Sequence, residues 1–321
     1  MVALASVTLL TSCDDDDDNN VIPAQNIVQV AQGDARFSTL VAAVTKADLG
    51  TTLAGTGPFT VFAPTNDAFA KLGSPFNSAA SITAITDPAQ IATLKDILLY
   101  HVVAGDIKAA DISTGASSQK TARPASSAIV NDNTIYLTKN ANGVFINGLT
   151  KVVVADVDAS NGTIHAIDNV LMPPTQSITE ILAGFNTGPT PEFSLLLQAL
   201  SRPAAASILA AAADPAANIT VFAPTDAAFR TLLSGAALSS VSDANLVAIL
   251  SRHVITTGRV FSSDLAAGQI ATAAGANTVT VAASGTGFTV RGGTGTAANI
   301  TNANILADNG LVHIIDQVLL P

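Results

Sequence analysis

A chain of 321 residues with 48% hydrophobic and only 12% charged residues is packed and globular. It is also longer than the about 250 to 300 residues at which a single core stops growing, so it divides into two domains. Its formal charge of −10 reflects 24 acidic against 14 basic residues, but without Asp14 to Asp18 the balance is 14 against 19, a net of −5. That leaves no basic footprint for nucleic acid. No apolar tract reaches the roughly 20 residues of a membrane span, and the single cysteine excludes an internal disulfide.

The first element in chain order is a short apolar run from Val2, which ends in Leu9-Leu10-Thr11-Ser12-Cys13. It resembles the lipobox of bacterial lipoproteins, in which the cysteine is lipidated and becomes the mature N-terminus. It departs from that pattern in being short and in lacking a basic residue, which a start assigned too far downstream explains. Residues 14–22 follow as a spacer, opening on Asp14 to Asp18, a run that repels itself and cannot pack. The run resembles the acidic export signals of surface lipoproteins of the Bacteroidetes, which implies the extracellular face of the outer membrane. Five consecutive carboxylates without a shaped loop are a poor calcium site.

The first domain is expected over 23–173. After a capping Asp34, Phe37, Leu40, Val41 and Val44 recur at helical spacing. Thr60 to Ala63 reads as a short apolar strand broken by Pro64. Thr65 or Asn66 then caps a helix carrying Phe69 and Leu72, with Asp67 favourably near its N-terminus. A further helix is expected from Pro88 to Leu99. Alternation next predicts strands over 134–138, 144–146, 152–155, 163–167 and 170–172, with Asn142-Gly143, Asn147-Gly148 and Asn161-Gly162 as turns. Helices segregated from antiparallel strands make an α+β fold.

Three blocks recur in the same order. FTVFAPTNDAF at Phe59–Phe69 returns as ITVFAPTDAAF at Ile219–Phe229, and NGTIHAIDNVLMP at Asn161–Pro173 returns as NGLVHIIDQVLLP at Asn309–Pro321. Between them, ILLYHVV from Ile97 is matched more weakly by ILSRHVI from Ile249. The offsets of 160, 152 and 148 residues place the main deletion in the second copy opposite Ser74 to Asp87, a stretch that reads as loop. A period of this size is a domain duplication. The linker is 174–176, after which Ser177-Ile178-Thr179-Glu180 opens the second domain, 177–321, with a capping box. Its Pro-Pro start restricts relative motion of the domains. In the second copy Phe193, Leu196, Leu197 and Leu200 repeat the first helix, and the glycines from Gly285 to Gly295, which lack a phosphate-loop pattern, read as a flexible hairpin.

These three ordered blocks, found twice, resemble the fasciclin domain family over nearly everything from Pro23 to Pro321. The resemblance implies a β-sandwich or wedge of mostly antiparallel strands with helices on one side, no general catalytic activity and no cofactor. It also implies adhesion through extracellular protein or carbohydrate partners, with the membrane met only through the N-terminal lipid. Partner binding in animal members has been assigned to a Tyr-His region and a nearby Asp-Ile pair, which match Asp96, Ile97, Tyr100 and His101 here. The second copy departs, with Ala248-Ile249 and Arg252-His253. The fold-motif residues are Thr65, Asp67, His165 and Asp168, then Thr225, Asp226, His253, His313 and Asp316.

All four histidines sit in repeated motifs. One reading is a metal or acid–base site of His101 or His165 with Asp168, or His253 or His313 with Asp316, in an envelope protein with hydrolytic or metal-dependent chemistry. The other is that each imidazole fixes a turn or strand end, as buried polar groups do. The second is favoured, because side chains three apart on a strand face opposite ways and zinc draws three or four ligands. No GxSxG elbow is present, and a ligand-free spacer is a third reading. The sequons at Asn161, Asn218 and Asn299 carry meaning only in a eukaryotic secretory pathway.

Overall fold

The computed structural model describes residues 24–126, 129, 131–265, 268–273, 278–284 and 287–321. The apolar run, Cys13 and the acidic spacer lie outside the described residues. The first unit contains α1 (Ile27–Gly33), α2 (Ser38–Lys46), α3 (Gly50–Ala54), β1 (Phe59–Pro64), α4 (Asn66–Ala70), α5 (Ala79–Thr83) and α6 (Pro88–Leu99). Six strands then follow in succession: β2 (Val102–Ala104), β3 (Gly115–Lys120), β4 (Thr134–Asn140), β5 (Gly143–Ile146), β6 (Thr150–Ala159) and β7 (Gly162–Ile167). The second unit repeats this with α7 (Ile178–Gly184), α8 (Ser194–Leu200), α9 (Ala206–Ala213), β8 (Ile219–Pro224), α10 (Asp226–Leu233) and α11 (Asp243–Arg252). Its later strands are β9 (Val254–Ile255), β10 (Gly268–Ala271), β11 (Thr278–Ser284), β12 (Gly287–Arg291), β13 (Ala298–Ala307) and β14 (Gly310–Ile315).

Each unit is a seven-stranded sheet, in the orders β2-β1-β7-β6-β5-β4-β3 and β10-β11-β12-β13-β14-β8-β9, which are one topology read from opposite edges. The fold is α+β, as the motifs imply. The first-motif strand pairs in parallel with the last-motif strand, Phe59 to Pro64 against Gly162 to Ile167, and Ile219 to Pro224 against Gly310 to Ile315. These central strands are buried on both faces almost throughout, as strands covered on both sides are. Against one face of the first sheet pack the helices, around Phe37, Leu40, Phe69, Ile82, Leu94 and Ile97. Against the other lies a smaller core of Phe62, Tyr100, Ile135, Leu137, Ile146 and Leu171. The second unit is built alike.

The long strands β6 and β13 span both cores because they bend. Their pairing with β7 and β14 slips between Val152 and Val157 and between Ile300 and Ile305. At those slips Asp156 and Asn304 take left-handed φ values of 58° and 62°. A bulge of this kind turns a strand and deepens its twist.

Several expectations need correction. No strand forms over 170–172; the amide of Leu171 instead donates to the His101 ring. Asp34 caps a short 3-10 turn over Ala35–Phe37, and α2 begins only at Ser38. The Ser74 to Asp87 stretch is packed structure rather than loop, since it forms α5 and buries Ile82 and Ile85. A hairpin does form in the glycine stretch, with Ser284 of β11 opposite Gly287 of β12 and Gly285 outside the described residues, but Gly292 and Gly293 are fixed beyond it: a Cβ on Gly292 would lie 2.1 Å from the Leu320 carbonyl oxygen, and the Gly293 amide donates to that oxygen. Helices α1, α3 and α9 were not anticipated, although Asn26 and Gln29 form the same capping box as Ser177 and Glu180.

The parallel pairing needs glycine at its start. Gly162 has φ of 149°, and a Cβ there would fall 1.8 Å from the Phe59 carbonyl oxygen. Gly162→Ala is therefore expected to destabilise the first domain by about 3 to 5 kcal/mol, read by denaturant titration. Loss below about 1 kcal/mol would mean that the strands separate without cost.

Candidate functional site

The motif side chains turn out to be backbone partners. Thr65 and Thr225 cap α4 and α10 by accepting from the amides of Ala68 and Ala228. The next residue reaches a different helix: Asn66 Oδ1 accepts from the Thr39 amide at 2.9 Å, and Asp226 Oδ1 accepts from the Leu195 amide at 2.8 Å. Asp67 stands exposed in the first turn of α4, where a carboxylate favours the helix dipole. Asp168 accepts from the Lys151 amide and Asp316 from the Asn299 amide, both at 2.7 Å. Asn161 and Asn309, which open the last repeated block, each accept from the first amide of the opening helix and donate to two carbonyls at the end of α3 or α9.

The four histidines follow two patterns, each present twice. His101 Nδ1 lies 2.8 Å from the Ile97 carbonyl oxygen while Nε2 accepts from the Leu171 amide at 2.9 Å. His253 does the same with Ile249 and Leu319. His165 Nε2 bonds the Ile107 carbonyl at 2.8 Å and its Nδ1 accepts from the amide of Asp156, the bulge residue. His313 matches it with Val260 and Asn304. A ring that donates at one nitrogen and accepts at the other is neutral. Burial holds the His101, His253 and His313 rings down to about 4 against an ordinary 6.5. The histidines are not brought together with Asp168 or Asp316, and among the described residues no cluster of three His, Cys, Asp or Glu side chains is placed to hold a metal.

The Tyr-His region is likewise interior. Ile97, Tyr100 and His101 are 3%, 0% and 1% exposed, so none of them presents a surface in the folded domain. Only Asp96 reaches solvent, in an ion pair of 2.7 Å with Arg123. The Tyr100 hydroxyl donates to the Thr134 carbonyl at 2.7 Å. In the second domain Arg252 Nη1 donates to the corresponding carbonyl, that of Thr278, at 3.0 Å, so a guanidinium replaces the phenol without loss of the bond.

The units meet through a loop of the second and a hairpin of the first. Arg259, buried at 7% exposure, donates to the Tyr136 hydroxyl at 2.7 Å and lies 5.0 Å from the centre of that ring. The same guanidinium donates to the carbonyls of Ala307, Asp308 and Gly310 and to Asn218. Its desolvation pushes its pKa below the ordinary arginine value. Phe261 packs on Tyr136 with ring centres 5.4 Å apart. Asp264 accepts from the Thr138 hydroxyl, and Asn140 donates to the Ser263 carbonyl. Beside this contact the linker roofs a groove of about 580 Å³, lined by Leu149, Met172, Phe185 and Ile305 with Asn147 and Asn304. Leu149 and Met172 are 67% and 50% exposed, and no residue lining the groove is ionisable. The volume lies within the usual range for ligand sites.

Folds of this kind, with side chains of three ordered motifs tying down backbone, define a duplicated α+β domain. Compared with known families, the chain matches the Fasciclin domain twice, over residues 35–173 and 191–321, and it belongs to that family. Protein sll1483 of Synechocystis sp. is 45% identical over 151 residues, which cover 47% of this chain and 75% of that protein. Transforming growth factor-beta-induced protein ig-h3 of Sus scrofa is 26% identical over 268 residues, covering 83% of this chain but only 35% of its own length. A solved FAS1 domain pair from the insect cell adhesion molecule fasciclin I is 17% identical, covers 87% of this chain and 92% of that one, and aligns with a TM-score of 0.37. Fasciclin domains are typically adhesion or binding modules of extracellular or secreted proteins.

Two outcomes follow from this geometry. The three depressed histidines bind protons more readily in the unfolded chain, so their contribution is complete above about pH 6.5 and is lost as pH falls towards about 4. Denaturant stability is expected to fall by a few kcal/mol between pH 7.5 and 4.5, more in the second domain, which holds two of these rings, than in the first, which holds one; a flat profile would show that the folded rings take up protons as readily as the unfolded ones. Arg259→Ala should leave both domains folded yet uncouple them, raising the radius of gyration in solution scattering, whereas an unchanged radius would place the coupling in the remaining contacts of Phe261, Asp264 and Asn140 or in the linker.

Proposed function

We propose that this chain is a non-enzymatic adhesion or binding protein, held at the cell envelope by a lipid on Cys13 and displayed on the outer face of the outer membrane. Its partners are extracellular: matrix, polysaccharide or protein. The observation that carries this reading is the commitment of the motif histidines, threonines and asparagines to backbone bonds. With those groups occupied, the chemistry left to the surface is recognition. The groove between the domains, with its exposed Leu149 and Met172 and uncharged walls, is the surface offered for it. Asp96 is the member of the Tyr-His region still accessible to a partner.

Anchoring two domains on one lipid raises the effective concentration of each for a repetitive ligand. Fatty-acid labelling with surface protease accessibility in intact cells, beside a Cys13→Ala strain, tests the placement. Labelled, protease-sensitive parent protein and unlabelled mutant are expected, together with loss of adhesion in the mutant. Unlabelled or shielded parent protein would move the chain to the periplasm and remove adhesion as its role.

A further inference from the structure

The first domain holds a second recess, unrelated to the groove. It is a cavity of about 90 Å³ between α1, α2, α3 and the strands β1 and β7, walled by side chains such as Leu40, Val44, Leu53, Leu98 and Ile164. The polar side chains beside it are already engaged or lie at its mouth. Both His101 nitrogens are bonded, Thr45 donates to the Val41 carbonyl, and Gln32 and Thr45 are exposed at the rim. A space with apolar walls and no free hydrogen-bonding group stays dry, and its natural occupant is hydrocarbon.

The equivalent positions of the second domain carry different side chains. The bonds from the opening helices to Asn161 and Asn309 make Ile27 equivalent to Ile178, so Ala31 corresponds to Leu182. The bonds of Asn66 and Asp226 to the Thr39 and Leu195 amides pair Val41 with Leu197 and Val44 with Leu200. Three positions at the cavity are therefore larger in the second copy, by three, one and one carbon atoms. Along the apolar walls the exchange runs the other way at Leu53, opposite Ala212, where Ile208 and Leu209 of α9 pack against the core, and by one carbon at Ile164, opposite Val312. In the first domain the space is bordered by the smaller residues Ala31, Val41 and Val44.

We infer that this cavity is a binding slot for the end of an unbranched alkyl chain. A 150 Å³ apolar cavity accepts benzene, so about 90 Å³ is too small for that ring but accommodates, in proportion, about four carbons entering end-on. The exposed rim at Gln32 and Thr45 lets the rest of an amphiphile continue into solvent. The inference does not depend on adhesion or on the lipid at Cys13.

The test uses the whole chain with labelled Ile, Leu and Val methyl groups, titrated with n-alcohols from propanol to octanol. Shifts are expected at Val44, Leu98 and Ile164 and not at Leu200. Affinity should rise about fourfold per added methylene over roughly the first four carbons and then level as the slot fills. Ala31→Leu should abolish those shifts while holding or raising the melting temperature; Val44→Leu serves the same purpose should Ala31→Leu fail to fold. Shifts spread over both domains, affinity that climbs unbroken to octanol, or binding unchanged in a folded filled variant would overturn the proposal.

Discussion

A neutral imidazole donates at one nitrogen and accepts at the other, and each domain depends on two rings held in that state. His165 and His313 accept from the amide of the bulge residue and bond the carbonyl of the loop after β2 or β9. Without the bulge the long strand would run straight past the helix-side core and leave the second core uncovered. His101 and His253 fasten the segment after β7 or β14 to the end of α6 or α11. Neither job suits a charged ring, which has no acceptor, and at His101, His253 and His313 burial disfavours the cation as well. The motif histidines are thus hinges between backbone segments distant in sequence.

Duplication shows which parts of that arrangement can change. The carbonyl of Thr134 or Thr278 keeps a donor although the donor is a phenol in one copy and a guanidinium in the other. Arg252 fits because Gly292 leaves room: a Cβ there would lie 3.0 Å from its side chain. The helix cap supplied by Asn66 is supplied by Asp226, whose carboxylate accepts as the amide oxygen does. What is held constant is the bond to the backbone; what varies is the chemistry at its far end. Residue identity in the motifs is therefore a guide to the fold more than to ligand binding.

Much of the architecture was legible because it is written in local pattern. The helix over Pro88–Leu99, the capping box at Ser177, the Asn-Gly turns and the strands from 134 onward all rest on neighbours in sequence. The parallel pairing of β1 with β7 was not legible as such, since a partner about 100 residues away leaves no periodic trace, although the uninterrupted apolar character of Val61-Phe62-Ala63 is that of a strand covered on both faces. The strand expected over 170–172 failed because alternation cannot distinguish a ladder from a segment whose amide is taken by a histidine. The candidate site fared worst: Ile97, Tyr100 and His101 were placed by analogy, and their burial follows from a helix face that the same residues had already marked as apolar.

The contact between the domains joins unlike surfaces, a loop of one copy and a hairpin of the other, and such head-to-tail contacts can in principle repeat without end. Here the equivalent surfaces left free do not fit each other. Gly105 and Gly258 both accept from the threonine of the neighbouring strand, which makes Asp106 the counterpart of Arg259 and Lys108 that of Phe261. Register with β3 and β10 sets Thr280 and Ala282 against Tyr136 and Thr138. Bringing those faces together would offer a carboxylate and an ammonium to a threonine and an alanine, with neither the aromatic stack nor the hydroxyl that Asp264 uses. Lys108 is moreover already bound to Asp158 and Thr163 within its own domain. Divergence at these few positions makes the contact specific to the loop of the second domain and the hairpin of the first.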